Sequence, residues 1–189
     1  SEALVQYEKL YRSDKKDPVN ALNYAQLLRR AGRSDEALSV LEPFVRASQN
    51  KKAENISPLL LNEYAAAMIE KGKFPPAQKA IDQVLANDSY VNSHADAMNL
   101  LGVALDAQGR HQEAETMFRM ALEGWRGNPT TVLNNLSLCL ANQARFDAAL
   151  DTLRQALVMA PDKQEIARNI QMISELRDDV VQKPVSLKN

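Results

Sequence analysis

Three asparagines, Asn62, Asn99 and Asn134, recur at intervals of 37 and 35 residues, each inside an amphipathic helical stretch. A primary amide carries both donors and an acceptor, so it can pair with the backbone of an extended peptide without reading its side chains. One position further on in their own copies stand Asn23 and Asn135. One helical turn beyond the asparagine register stand Gln26, Ala66, Val103 and Leu138, an amide in the first copy and apolar in the other three. Mid-helix asparagine costs roughly half a kcal/mol relative to alanine, so its recurrence points to a role beyond helix formation. The chemistry expected of this set is recognition: a row of amides over an apolar floor, holding an extended segment of a protein partner.

Residues that could do covalent chemistry are sparse and badly placed for it. His111 falls where Ser34, Phe74 and Phe146 fall in the other copies, a packing position at the start of a helix, and His94 sits in a predicted loop before a helix. Cys139 aligns with Leu27, Ala67 and Ala104 on a packed face, so a buried, inert thiol is expected. Trp125, beside Gly127, Asn128 and Pro129, is expected to pack under a turn. No partnered nucleophile, metal-ligand set or phosphate-cradling glycine loop is present, so no catalytic residue, metal or cofactor is expected.

Composition narrows the classes further. The chain is 45% hydrophobic and 25% charged with a net charge of -1, and its nearest approach to a basic run is Lys51–Lys52. Nucleic-acid binding needs a basic stripe, so it is not expected. No apolar stretch approaches membrane-helix length, and one cysteine permits no intrachain disulfide.

The elements that must position the asparagines emerge from aligning the chain with itself. Four copies open at Pro18, Pro58, Ala95 and Thr130 and span 18–161. Their eighth positions are Ala25, Ala65, Gly102 and Ser137, small where two helices approach closely. Their eleventh positions are Leu28, Met68, Leu105 and Leu140. Gly32, Gly72 and Gly109 end the first helices, with Ala144 in the fourth copy, at a stop where positive φ is needed. Second helices carry Ala37, Ala77, Ala114 and Ala149, then Leu41, Ile81, Phe118 and Leu153. The spacings of these alanines, 40, 37 and 35, place surplus residues in 46–57, in 87–94 and around 124–128. Six extra residues after Leu41 would add about 1.7 helical turns, with Pro43 bending that helix.

Flanking segments complete the architecture. Residues 1–17 are expected to form a partial repeat serving as an N-terminal capping helix, with Leu4, Tyr7 and Tyr11 on one face as candidates for self-association into a homodimer. Residues 162–179, apolar at Ile166, Ile170, Ile173 and Leu176, predict a C-terminal capping helix, and 180–189 a flexible tail.

The order apolar-x2-Leu-Gly, a glycine break, then Ala-x3-Phe in MNLLGVALDAQGRHQEAETMFRMA resembles the tetratricopeptide repeat family, and the likeness covers 17–176. The resemblance implies an all-α, right-handed solenoid of about ten helices, four helix-turn-helix repeats between two caps, with the first helices lining a concave binding groove. Co-chaperones of this family that hold a C-terminal carboxylate use basic groove residues. Leu22, Gln26, Asn62, Val19 and Asp96 stand here instead, so such a clamp is not expected.

The strings YAQLLRRAGRSDEALSVLEPFV, NLLGVALDAQGRHQEAETMFRMAL and VLNNLSLCLANQARFDAALDTLRQAL further resemble the tetratricopeptide lipoproteins of the tight-adherence (Flp) pilus machinery. That resemblance implies a non-enzymatic, pilotin-like assembly factor that binds a segment of the secretin. Its place would be the periplasm, on the outer membrane, through a lipid anchor that this chain lacks and a longer precursor would carry. Two other readings share the groove or the fold: a cytoplasmic chaperone for secreted or pilus subunits, and a self-associating scaffold.

Overall fold

The computed structural model describes residues 2–48 and 56–182. They form ten α-helices and one 3-10 turn, with no strand among the described residues. In order the helices are α1 (Glu2–Ser13), α2 (Pro18–Arg30), α3 (Ser34–Ser48), α4 (Pro58–Glu70), α5 (Phe74–Leu85), α6 (Val91–Asp106), α7 (His111–Gly124), α8 (Thr130–Asn142), α9 (Phe146–Met159) and α10 (Gln164–Gln182). The contacts divide the chain into two units, Ser1–Ala104 and Leu105–Asn189.

In the first unit, α1 packs on α2, α2 on α3 and α4, α3 on α4, and α4 on α5. Starts and stops follow local chemistry. Asp17 Oδ1 accepts the Val19 N–H at 2.8 Å, capping α2, and Pro18 opens the helix where a missing N–H costs nothing. The core joins Ala21, Tyr24, Ala25 and Leu28 of α2 with Ala37 and Leu41 of α3, Leu60, Leu61 and Ala65 of α4, and Ala77, Ile81 and Val84 of α5. Small residues at the eighth position, Ala25 and Ala65, are fully buried, as close helix packing requires. Leu4, Tyr7 and Tyr11 of α1 pack against this core, and Tyr11 stacks on Tyr24 with ring centroids 5.5 Å apart. The large apolar residues α1 leaves exposed are Val5 and Leu10 instead.

In the second unit, α7 packs on α8, α8 on α9 and α10, and α9 on α10. Phe118, Leu140, Leu150, Leu153, Ile166 and Ile173 are its large, fully buried side chains. Each is worth about 1.5–3 kcal/mol of burial. Ile166 and Ile173 bring α10 into this core, which is the work of a capping helix.

The helix stops repeat closely. At Gly32, Gly72 and Gly109 φ is +75°, +66° and +76°, and Ala144 takes the same conformation at +57°. At each site the next N–H returns to a carbonyl five residues back, as in Arg33 to Leu28 at 2.9 Å and Arg145 to Leu140 at 3.0 Å.

Two boundaries differ from the sequence reading, at 87–94 and at the end of α10. The segment 87–94 is not loop: Asn87 Oδ1 accepts the Ser89 N–H at 3.0 Å, a 3-10 turn follows at Asp88–Tyr90, and α6 begins at Val91 rather than Ala95. His94 is therefore helical, and its Nε2 lies 3.1 Å from the Asn87 carbonyl. Helix α10 runs to Gln182, three residues into the predicted tail, because no proline or glycine interrupts 164–182. Helix α3 continues through Pro43 to Ser48. The rest of the predicted extension and the remainder of the tail fall on 49–55 and 183–189, outside the described residues.

Candidate functional site

The asparagine register is buried. Asn62, Asn99 and Asn134 are 7%, 8% and 7% exposed. Position five of a first helix faces the first helix of the next hairpin, and the side chain is long enough to reach it. Asn62 Nδ2 donates to the Ser93 carbonyl of α6 at 3.3 Å. Asn134 Nδ2 donates to Glu165 Oε1 of α10 at 3.4 Å, again 31 residues along, and its Oδ1 accepts from Asn169 Nδ2 at 2.7 Å. The recurrent amide thus ties successive hairpins together within each unit.

What remains for a ligand differs between the two sites. Both ends of the Asn134 amide are engaged by α10. Asn62 keeps an Oδ1 that is buried and has no hydrogen-bond partner. Desolvating an acceptor without pairing it costs about 1–3 kcal/mol.

Asn62 lines a cleft of about 220 Å³ in the first unit, together with Gln26, Arg29, Leu59, Glu63, Ala66, Asp96, Asn99 and Leu100. Helices α2, α4 and α6 supply its walls. Four of the residues singled out from sequence, Gln26, Asn62, Ala66 and Asn99, meet here. Asn23 and Val103 are half-buried in the same unit but do not line the cleft, while Asn135 and Leu138 are half-buried in the second unit.

The charged lining was not anticipated. Arg29 Nε lies 2.5 Å from Glu63 Oε1 and Nη1 lies 2.7 Å from Glu70 Oε1, while Ser34 Oγ donates to Glu70 Oε2 at 2.5 Å. Burial opposes the Arg29 charge, but hydrogen bonds and attraction from the two carboxylates outweigh it and hold its pKa above the ordinary value. Arg29 is thereby neutralised, and the cleft presents no free cation among its described residues. Asp96 has no such partner, and burial pushes its carboxyl pKa up. Periodicity does not flag this ion pair: Arg29 and Glu63 lie 34 residues apart, whereas their two copies are offset by 40.

In the second unit, His111 Nδ1 sits 2.6 Å from Asp106 Oδ1, and Asn142 Nδ2 donates to Asp106 Oδ2 at 2.9 Å. The buried Cys139 thiol donates to the His111 carbonyl at 3.2 Å. Its pKa is pushed up to about 12, first by burial and then by Asp106. A thiol held protonated beside a carboxylate is a poor nucleophile. Trp125 is half-buried, with Nε1 donating to the Asn128 carbonyl at 3.1 Å across its own turn. No group of three or more His, Cys, Asp or Glu among the described residues is arranged to hold a metal ion.

Comparison with known proteins identifies the repeat. Tetratricopeptide repeat family models match residues 63–129 and 21–43. No curated protein matches the sequence. Among solved structures, a thermophilic TPR protein of Thermus thermophilus superposes with a TM-score of 0.74 at 15% identity, covering 91% of this chain and 89% of that one. The APC/C hetero-tetramer Cut9-Hcn1 gives 0.74 at 19% identity, covering 94% of this chain but 33% of that chain. MamA from Desulfovibrio magneticus RS-1 gives 0.60 at 19% identity over 88% of this chain and 87% of its own. At these identities the likeness is one of fold. Residues 21–43 and 63–129 thus match tetratricopeptide repeats, and the chain shares the all-helical fold of the solved repeat proteins.

Proposed function

We propose that this chain, with tetratricopeptide repeats matched over 21–43 and 63–129, is a non-enzymatic scaffold that holds a segment of a partner protein in the cleft between α2, α4 and α6. The repeat fold supports the general role, since stacked helical hairpins present continuous surfaces suited to protein partners. The observation that carries the choice of site is the buried, unpartnered Asn62 Oδ1 beside Asn99. A donor group of the partner segment would satisfy it, and Ala66, Leu59 and Leu100 supply apolar surface beside it.

The finer reading is assembly of a tight-adherence pilus or a related secretion machine, with a periplasmic segment of the secretin as the partner. Its support is the resemblance of the three repeat strings to the lipoproteins of that machinery. In this reading the native protein sits on the periplasmic side of the outer membrane, anchored through a lipidated cysteine of a longer precursor. Fractionation of the native host, with mass analysis of the mature N-terminus, tests the anchoring.

The binding reading is tested by titrating the purified periplasmic domain of the secretin into the wild-type chain and an Asn62→Ala/Asn99→Ala double variant. A loss of at least tenfold in affinity with unchanged helicity is the expected result. Equal affinity in a folded double variant would sink the assignment of the cleft.

A further inference from the structure

The chemistry of the cleft names more of its occupant than the repeat fold does. We propose that it receives a basic side chain, a lysine or arginine carried by the partner segment, with the cation seated against Asp96 and Asn62. This rests on the reading above that the cleft binds protein.

Two independent observations converge on a donor. The first is Asp96, which lines the cleft without an ion pair or hydrogen bond among the described residues. The other charged lining residues are spoken for: Glu63 holds Arg29 at 2.5 Å, and Glu70 takes the second arm of the same guanidinium at 2.7 Å. Asp96 is therefore the uncompensated charge of the site. The second observation is Asn62, 7% exposed, whose Nδ2 is committed to Ser93 and whose Oδ1 has no partner.

An acceptor and a carboxylate in one cleft select by chemistry. An ammonium or guanidinium carries donors and no acceptor, so it can satisfy both at once. A carboxylate would face Asp96 and Glu63 with like charge. An apolar side chain would strip water from the Asp96 carboxylate and leave it unpaired, which is costlier than leaving the cleft in water. The rim suits the stem of a basic residue: Leu59 is 53% exposed, and Ala66 and Leu100 lie beside it. Lysine and arginine lay their methylenes along apolar surface while the head seeks a charge. Burial raises the Asp96 pKa, as expected of a carboxylate that lacks its counter-ion until the partner arrives.

The probes are Nα-acetyl-lysinamide, Nα-acetyl-argininamide, Nα-acetyl-norleucinamide and glycinamide, titrated into the isotope-labelled full chain by NMR. Saturable shifts of the Asn62 and Asn99 side-chain amides and of the 96–100 backbone are expected with the lysine or arginine probe. They should weaken at least tenfold in Asp96→Asn. Equal response to norleucinamide, or an unweakened response in the variant, overturns the inference. A response to glycinamide that matches the basic probes shows that a free α-amine is sufficient and overturns the side-chain assignment.

A second arm separates this inference from the reading it rests on. The secretin domain is titrated into the wild type, Asp96→Asn and Leu59→Arg, the last placing a guanidinium at an exposed rim position. Weakening in both variants supports the proposal. Weakening in Leu59→Arg alone keeps the cleft as the binding site and removes the basic side chain. Unchanged binding in both removes the cleft as well.

Discussion

Arg29 and Glu63 stand 34 residues apart in the chain and meet with Nε 2.5 Å from Oε1, across α2 and α4. The pair is unequal. Glu63 is 7% exposed and this structure gives it no ion pair other than Arg29, whereas Arg29 is a quarter exposed and also holds Glu70. Removing one member of a buried pair strands the other, and the cost scales with how thoroughly it is stranded. Arg29→Met should therefore cost about 3 kcal/mol and Glu63→Gln about 1 kcal/mol. Urea unfolding of the two variants checks the order; a larger loss in Glu63→Gln would contradict it.

The asparagine struts give a second contrast. Asn134 exchanges hydrogen bonds with two residues of α10, at 2.7 and 3.4 Å, while Asn62 makes one at 3.3 Å and carries an unsatisfied acceptor. Asn134→Ala should lose about 1–2 kcal/mol, and Asn62→Ala about 0.5 kcal/mol or less, because it deletes an unpaired group along with the bond. Denaturant midpoints distinguish the two.

Ala144 occupies a helix stop that the other three copies fill with glycine, at φ +57°. A left-handed conformation costs an L-residue about 1–2 kcal/mol, and the entropy of a glycine in the unfolded chain returns part of that. Ala144→Gly should stabilise by about 0.5–1 kcal/mol, raising Tm by roughly 1–4 °C. Gly109→Ala should lose a similar amount, since no atom stands within 4 Å of the added Cβ and the backbone alone is strained. Thermal melts of both variants test the pair.

Asp96 links the cleft to stability. Its folded pKa is raised by burial, so between the ordinary aspartate value of about 3.9 and the raised one the folded state binds more protons than the unfolded. Stability contributed by this group falls as pH rises through that window and is constant above it. Asp96→Asn should melt higher than the wild type at pH 7, with the gap closing near pH 3. A variant less stable at pH 7 would reveal a favourable partner for the carboxylate.

Cys139 supplies a reporter of opening. With its pKa pushed up to about 12, roughly one thiol in ten thousand is ionised at pH 8, and the side chain is fully buried. Modification of the native chain by a thiol reagent should proceed only at the rate of unfolding, and rapidly in denaturant. Fast labelling without denaturant would contradict both the burial and the shift.

The repeat was legible in the chain because packing writes itself locally. Ala25, Ala65, Gly102 and Ser137 mark where helices approach, and Gly32, Gly72 and Gly109 mark positive φ. Each is decided by neighbours within one hairpin, so a one-dimensional alignment recovers it. The start of α6 was missed because Asn87 rescues a polar stretch through a single side-chain hydrogen bond, a detail that periodicity does not carry.

At the site, the order of residues is enough to say that amides recur at one register and that Gln26, Ala66 and their counterparts lie a turn beyond. How those amides are used is settled by the packing of the helices. Asn134 is consumed by Glu165 and Asn169, Asn62 is left with a bare acceptor, and Arg29 is cancelled by Glu63 and Glu70, leaving Asp96 alone. Register says which way a side chain points, whereas hydrogen-bond satisfaction depends on atoms supplied by helices 31 to 41 residues away.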